Sequence, residues 1–118
     1  MTVRRLKTYA GSQGCAYQYY FVGKREAGAG PADAVEYVFE VTSDRKQTYV
    51  VGVVLPRRAV LAWAETHLRP LADSEQYAAV KLRLFRAFDE LDDMQAEGRE
   101  LYLDNGFLEE SLASLGVE

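Results

Sequence analysis

The chain has 118 residues, of which 48% are hydrophobic and 27% charged, and its formal net charge is −4. This length and composition are typical of a single globular domain with a core of its own. No apolar run approaches the length of a membrane-spanning helix and no signal peptide stands at the N-terminus, so we expect one cytoplasmic domain over 1–118 without membrane contact.

The charge is unevenly divided along the chain. Residues 1–58 hold nine Lys and Arg against five Asp and Glu, whereas residues 59–118 hold five against thirteen. Opposite charges on two halves favour attraction between them, within one molecule or between copies. We therefore expect a homo-oligomer, and a basic protein is a second possible partner for the acidic half.

The first half of the chain predicts β-strands. Segments 3–9, 15–24, 35–42 and 47–55 are rich in Val, Tyr, Phe and Thr and alternate in part between apolar and polar residues. Segment 26–33 is rich in Gly, Ala and Pro and is expected to be an exposed hairpin loop. Successive strands with short connections favour an antiparallel meander.

The second half of the chain predicts helices. Apolar residues recur there at helical spacing, interrupted by proline and glycine. We expect one helix between Pro56 and Pro70, a longer one from Asp73 to Gly98, and a last one over 105–115. The fold predicted is α+β: a four-stranded antiparallel meander over 1–55, followed over 56–118 by two or three helices packed on one sheet face.

The long helix carries a wide apolar arc. One stripe consists of Tyr77, Val80, Leu84, Phe88 and Leu91. Leu82 and Phe85 widen the arc beyond a single packing seam, so the helix either lies between two elements or meets a second copy of the chain. Leu82 and Phe85 are therefore the predicted self-association residues.

The second predicted strand contains four aromatic residues within positions 17–21. Side chains two positions apart share a sheet face, so alternation places the larger aromatic set beneath the helices. The tyrosines expected in this layer are Tyr17, Tyr19, Tyr37, Tyr49 and Tyr77. Buried tyrosine hydroxyls need partners, so these residues either reach the rim or line a pocket for a small molecule or peptide.

The opposite sheet face offers another hypothesis, binding of single-stranded nucleic acid. Its predicted candidates are an aromatic ring and several cations, namely Arg5, Lys7, Tyr20, Lys24 and Arg25. Glu36 and Glu40 are expected on the same face, where they would repel phosphates. Nucleic acid is therefore the weakest of the binding hypotheses.

Catalytic motifs are sparse. Cys15 and His67 are the only cysteine and histidine, so a cysteine nucleophile with a histidine base would have to be this pair. A pair of carboxylates acting as acid and base stays open, because neighbours in space do not show in the sequence. No spacing typical of a metal site or of a phosphate-binding loop occurs, so we predict no cofactor and no metal. The leading hypothesis is a non-enzymatic interaction module that self-associates through the wide apolar arc of the long helix or through a sheet edge. The two alternatives are binding of a small molecule or peptide in the tyrosine-lined pocket and binding of single-stranded nucleic acid on the outer sheet face.

Overall fold

A computed structural model describes residues 6–10, 16–27 and 33–117. Its elements, in chain order, are β1 (Lys7–Ala10), β2 (Ala16–Ala27), β3 (Ala34–Thr42), β4 (Tyr49–Pro56), α1 (Arg57–His67), α2 (Asp73–Glu90), α3 (Met94–Glu97), β5 (Glu100–Tyr102) and α4 (Asn105–Ser114). The predicted α+β fold, with strands first and helices afterwards, is confirmed.

The five strands form one sheet in the order β1–β2–β3–β4–β5. Strands β1 to β4 form three antiparallel pairs in chain order, as predicted for the meander. β5 was not predicted, and it pairs in parallel with β4, where Gly52 lies opposite Glu100. The sheet is therefore mixed, because the chain passes through three helices before it returns to the free edge of β4.

β2 contains a β-bulge that changes which side chains face the helices. Phe21 and Gly23 lie opposite consecutive residues of β3, so Val22 is an extra residue in the strand. Because side chains alternate along a strand, one inserted residue exchanges the faces of all that follow. Lys24 therefore pairs with Tyr37 on the face covered by helices.

The helix boundaries have local causes. α1 follows Pro56, whose fixed φ and missing N–H suit the residue before a helix, and it ends at Leu68 in the left-handed region with φ 59°. α2 follows Ala72, whose backbone N–H donates to Oε1 of Glu75 at 2.8 Å. α2 ends before the predicted stop at Gly98, which instead follows the short helix α3.

The helices pack on one sheet face, and the core lies between the two layers. Its largest fully buried side chains include Trp63 of α1, Phe39 of β3, Leu55 of β4, Phe88 of α2 and Leu108 of α4. The other sheet face, called the outer face below, carries exposed apolar side chains such as Val50 and Tyr102. None of the helices in the described ranges is both long and apolar enough to span a bilayer.

Candidate functional site

Aromatic rings from β1, β2, β3 and α2 form one continuous cluster between the sheet and α2. Its members are Tyr9, Tyr17, Tyr19, Phe21, Tyr37, Phe39, Tyr77, Phe85 and Phe88. The closest pair is Tyr17 and Phe88, which stack with centroids 4.3 Å apart and planes at 7°. Such contacts add stability beyond the burial of the rings.

Four of the five tyrosines predicted to line a pocket belong to this aromatic cluster. Burial raises the pKa of Tyr19, Tyr37 and Tyr77 above the ordinary value, because it disfavours the phenolate. Tyr49 makes different contacts on β4, where its ring centroid lies 5.7 Å from the Arg99 guanidinium. The Tyr49 hydroxyl is buried with no hydrogen-bond partner among the described residues, and burial raises its pKa to about 12.

Two of the predicted outer-face candidates do lie on the outer face. The Tyr20 hydroxyl donates to the Glu40 carboxylate. Arg25 Nε donates to Glu36 Oε1 at 2.5 Å. Both candidates are thus engaged with the glutamates that were expected to weaken nucleic acid binding on this face.

The prediction that Lys7 and Lys24 share the outer face with Tyr20 is wrong. Lys7 pairs with Tyr19, so its side chain projects on the helix-covered side. The β2 bulge places Lys24 on the same side, with Nζ 5.7 Å from the Tyr37 ring centroid. Arg5, the remaining candidate, lies outside the described residues, and the described ones do not form a joint platform of aromatic and basic side chains.

The predicted self-association residues meet in a groove along α2. This α2 groove has a volume of about 250 Å³ and is lined by Tyr77, Ala78, Lys81, Leu82, Phe85 and Leu115. Burial and the nearby Lys7 lower the pKa of Lys81, whose Nζ lies 5.7 Å from the Tyr77 ring centroid. The groove is therefore mainly apolar, with positive charge on its lining.

A polar cluster joins α1 to its neighbours. His67 stacks on Trp63 with centroids 4.0 Å apart, and His67 Nε2 lies 2.9 and 3.1 Å from the two carboxylate oxygens of Glu109. Arg69 lies over the Trp63 ring and makes two 2.9 Å hydrogen bonds to Glu75, which hold the Glu75 pKa down at about 2. These contacts fasten α1 to α4 and order the start of α2.

This polar cluster has the character of a structural clamp. The proposed catalytic partner of His67, Cys15, lies outside the described residues, and His67 itself engages Glu109 from α4. Within the described ranges, no three His, Cys, Asp or Glu side chains come together in a way that could hold a metal ion. Sequence reasoning missed Glu109 and Arg69 because long-range partners leave no mark in local spacing.

Comparison with known proteins yields no relative. No protein-family model matches the chain. No curated protein and no solved structure matches it significantly.

Proposed function

We propose that the chain is a non-enzymatic protein-interaction module that self-associates through the α2 groove. The observation that carries this proposal is that Leu82 and Phe85 line one groove with Leu115 from the end of α4. Leu115 is 48% exposed, so apolar surface remains in contact with water in the single chain. Burying apolar surface is the main driving force of protein association.

The charge order along α2 favours a second copy of the chain as the occupant. Lys81, Phe85 and Asp89 follow one another at intervals of four residues, so they lie along one helix face. In an antiparallel pair of α2 helices with a two-fold axis at Phe85, each Lys81 faces the Asp89 of the other copy. A two-fold interface must be complementary to itself, and this sequence meets that condition.

The size of α2 limits the strength of such an association. The helix has 18 residues, which corresponds to a length of about 27 Å. A contact one helix wide is smaller than the roughly 800 Å² per partner of a standard stable interface. We therefore expect an equilibrium dimer with a Kd of about 10 µM or weaker.

The first experiment compares matched substitutions on two surfaces by sedimentation velocity from about 1 to 500 µM. Leu82→Glu places a charge in the α2 groove, and Val50→Glu places one at an exposed position of the outer face. We expect Leu82→Glu to weaken dimerisation at least about tenfold and Val50→Glu to leave it unchanged. A wild-type chain that stays monomeric throughout, or a dimer abolished only by Val50→Glu, would overturn the proposal.

The second experiment tests the arrangement of the two helices by exchanging charges. Lys81→Glu and Asp89→Lys each place like charges opposite one another in their own homodimers, so each variant should dimerise less than wild type. In the mixed dimer both contacts again pair opposite charges: one is the original Lys81–Asp89 contact, and the other joins the two substituted positions with reversed polarity. A preference for the mixed dimer supports the two-fold at Phe85, and a mixture as weak as the separate variants contradicts it.

Asp89 also accepts a hydrogen bond from the Tyr9 hydroxyl at 2.8 Å, so Asp89→Lys can disturb β1. Urea unfolding of each variant separates this effect from a change in association. If Asp89→Lys is unfolded, a mixture of Lys81→Glu with wild type takes the place of the mixture of the two variants. The mixed dimer then keeps one attractive contact and should form more readily than the Lys81→Glu homodimer.

A further inference from the structure

β1 forms one edge of the sheet. Among the described residues its only strand partner is β2. Lys7, Thr8 and Ala10 are exposed, and Leu6, directly before the strand, is 55% exposed. An edge strand presents unpaired N–H and C=O groups that can pair with a strand of another chain. β1 therefore offers backbone hydrogen bonds that no described strand uses.

α2 packs over β1 and runs in the same direction. Phe85 stacks on Tyr9 with ring centroids 4.4 Å apart and planes at 5°. One helical turn earlier, burial and the charge of nearby Lys7 lower the pKa of Lys81. Residue numbers thus rise together along the helix and the strand. Because Lys81 and Phe85 line the α2 groove, this groove borders the β1 edge.

One two-fold axis can relate both elements of two copies. Because α2 and β1 run in the same direction, an axis normal to the sheet that makes the two α2 helices antiparallel also makes the two β1 strands antiparallel. The axis proposed at Phe85 passes close to Tyr9, since their rings are stacked. The strand edges of the two copies then meet at the same axis as the two grooves.

The spacing of the two layers fits this arrangement. Phe85 contacts Tyr9 of β1 and also Tyr19 of β2, so α2 lies over the space between these strands. Paired strands are about 4.8 Å apart, so pairing of β1 with its copy would bring the two α2 helices to about 10 Å from each other. The axes of packed helices are about 8–10 Å apart, so the strand contact and the helix contact can form together.

The charges at this edge also favour a second copy. Lys7 and Lys81 bring two positive charges together, and neither forms an ion pair with another of the described residues. In the proposed helix pair, Asp89 of the other copy approaches Lys81 and therefore also Lys7. A carboxylate beside two cations lowers the electrostatic cost of placing them together.

We infer that the two β1 strands pair antiparallel across the dimer, so that two five-stranded sheets become one sheet of ten strands. This inference rests on the proposed self-association and adds the backbone of β1 to the α2 groove as a second part of the interface. β1 has four residues, which corresponds to about 13 Å of strand. So short a strand pair keeps the interface small, in agreement with an equilibrium dimer.

Hydrogen exchange and sedimentation velocity on the same samples test the strand pairing. The N–H groups on the free edge of β1 should exchange about three- to tenfold more slowly at about 500 µM than at about 1 µM, in proportion to the measured dimer fraction. β5 is the control within the chain, because it forms the opposite edge of the sheet and should show no dependence on concentration. Leu82→Glu should remove the protection of β1 together with the dimer, because Leu82 lines the α2 groove.

A mixture of isotope-labelled and unlabelled chain shows the pairing directly. We expect intermolecular nuclear Overhauser effects between residues of β1 in the two copies, because antiparallel strands bring opposite residues close together. A dimer with unchanged exchange in β1 and intermolecular effects from α2 alone overturns the strand pairing and leaves the α2 groove as the interface. Protection of β1 that persists in Leu82→Glu overturns the common two-fold axis. A chain that is monomeric up to about 500 µM overturns the strand pairing and the proposed self-association together.

Discussion

Phe88 is the residue through which the aromatic cluster can be tested most directly. It is 1% exposed, and its ring stacks on Tyr17 and also contacts Tyr9, Tyr19 and Phe85. Replacing a buried Phe by Ala costs about 3–5 kcal/mol, and Leu retains part of the buried carbon. We expect Phe88→Leu to lower the free energy of unfolding by about 2–3 kcal/mol, of which about 1 kcal/mol is lost stacking.

Urea unfolding followed by far-ultraviolet circular dichroism measures this loss. For a chain of 118 residues it corresponds to a fall in Tm of about 8–12 °C. Phe85→Leu is the control at a partly exposed member of the same cluster and should cost about 1 kcal/mol. A double-mutant cycle of Phe88→Leu with Tyr17→Leu should give a coupling energy of about 1 kcal/mol.

Two results would refute the reasoning about the cluster. A loss below about 0.5 kcal/mol in Phe88→Leu would mean that the ring is not packed as the structure shows. A coupling energy near zero would mean that the stacked geometry of Tyr17 and Phe88 contributes nothing beyond burial.

Three further predictions concern the buried Tyr49 hydroxyl on β4 and the polar cluster around α1. The Glu75 pKa lies at about 2, below its ordinary value of 4.5, so its contribution to stability is present above pH 4.5 and is lost as pH falls through about 2. Glu75→Gln should therefore be less stable than wild type in urea at pH 7, and a difference that does not shrink on acidification contradicts this. Because the pKa of Tyr49 is raised from 10.0 to about 12, the unfolded chain ionises first and wild-type stability should fall between those values. Tyr49→Phe should show a shallower fall in urea titrations over that range, and an equal slope in both proteins contradicts the assignment. His67→Ala removes contacts with Trp63 and Glu109 and should cost about 1 kcal/mol in urea unfolding, whereas a cost near zero means that the clamp adds no stability.

The meander and its faces were predictable because burial imposes a period of two on strands. Tyr37 and Phe39 of β3 are 3% and 0% exposed, as their alternation with Glu36 and Glu40 predicted. Val51 and Val53 of β4 are both fully buried, as their spacing of two residues predicted. The self-association candidates Leu82 and Phe85 also meet in one groove, because helical spacing fixes which residues share a face. Local periodicity is therefore sufficient to predict this part of the fold.

The features that were missed depend on contacts between distant segments. The bulge at Val22 leaves no strong signature, yet it moves Lys24 to the other face. β5 is only three residues long, too short to show alternation, and it is a strand because its backbone pairs with β4. Glu109 acquires its partner His67 only through packing of the helices.

The parallel pairing of β5 has a consequence for the order of folding. Each antiparallel pair of the meander joins neighbours in the chain, so those pairs close short loops. The pairing of Gly52 with Glu100 closes a loop that contains α1, α2 and α3. Hydrogen bonds from Gly52 N to Arg99 O and from Leu103 N to Val54 O support this pairing. A contact of such high sequence separation is slow to form, so we expect β4 to remain the sheet edge until the helices have packed. During synthesis, the Val-rich β4 is then the strand most exposed to pairing with other chains.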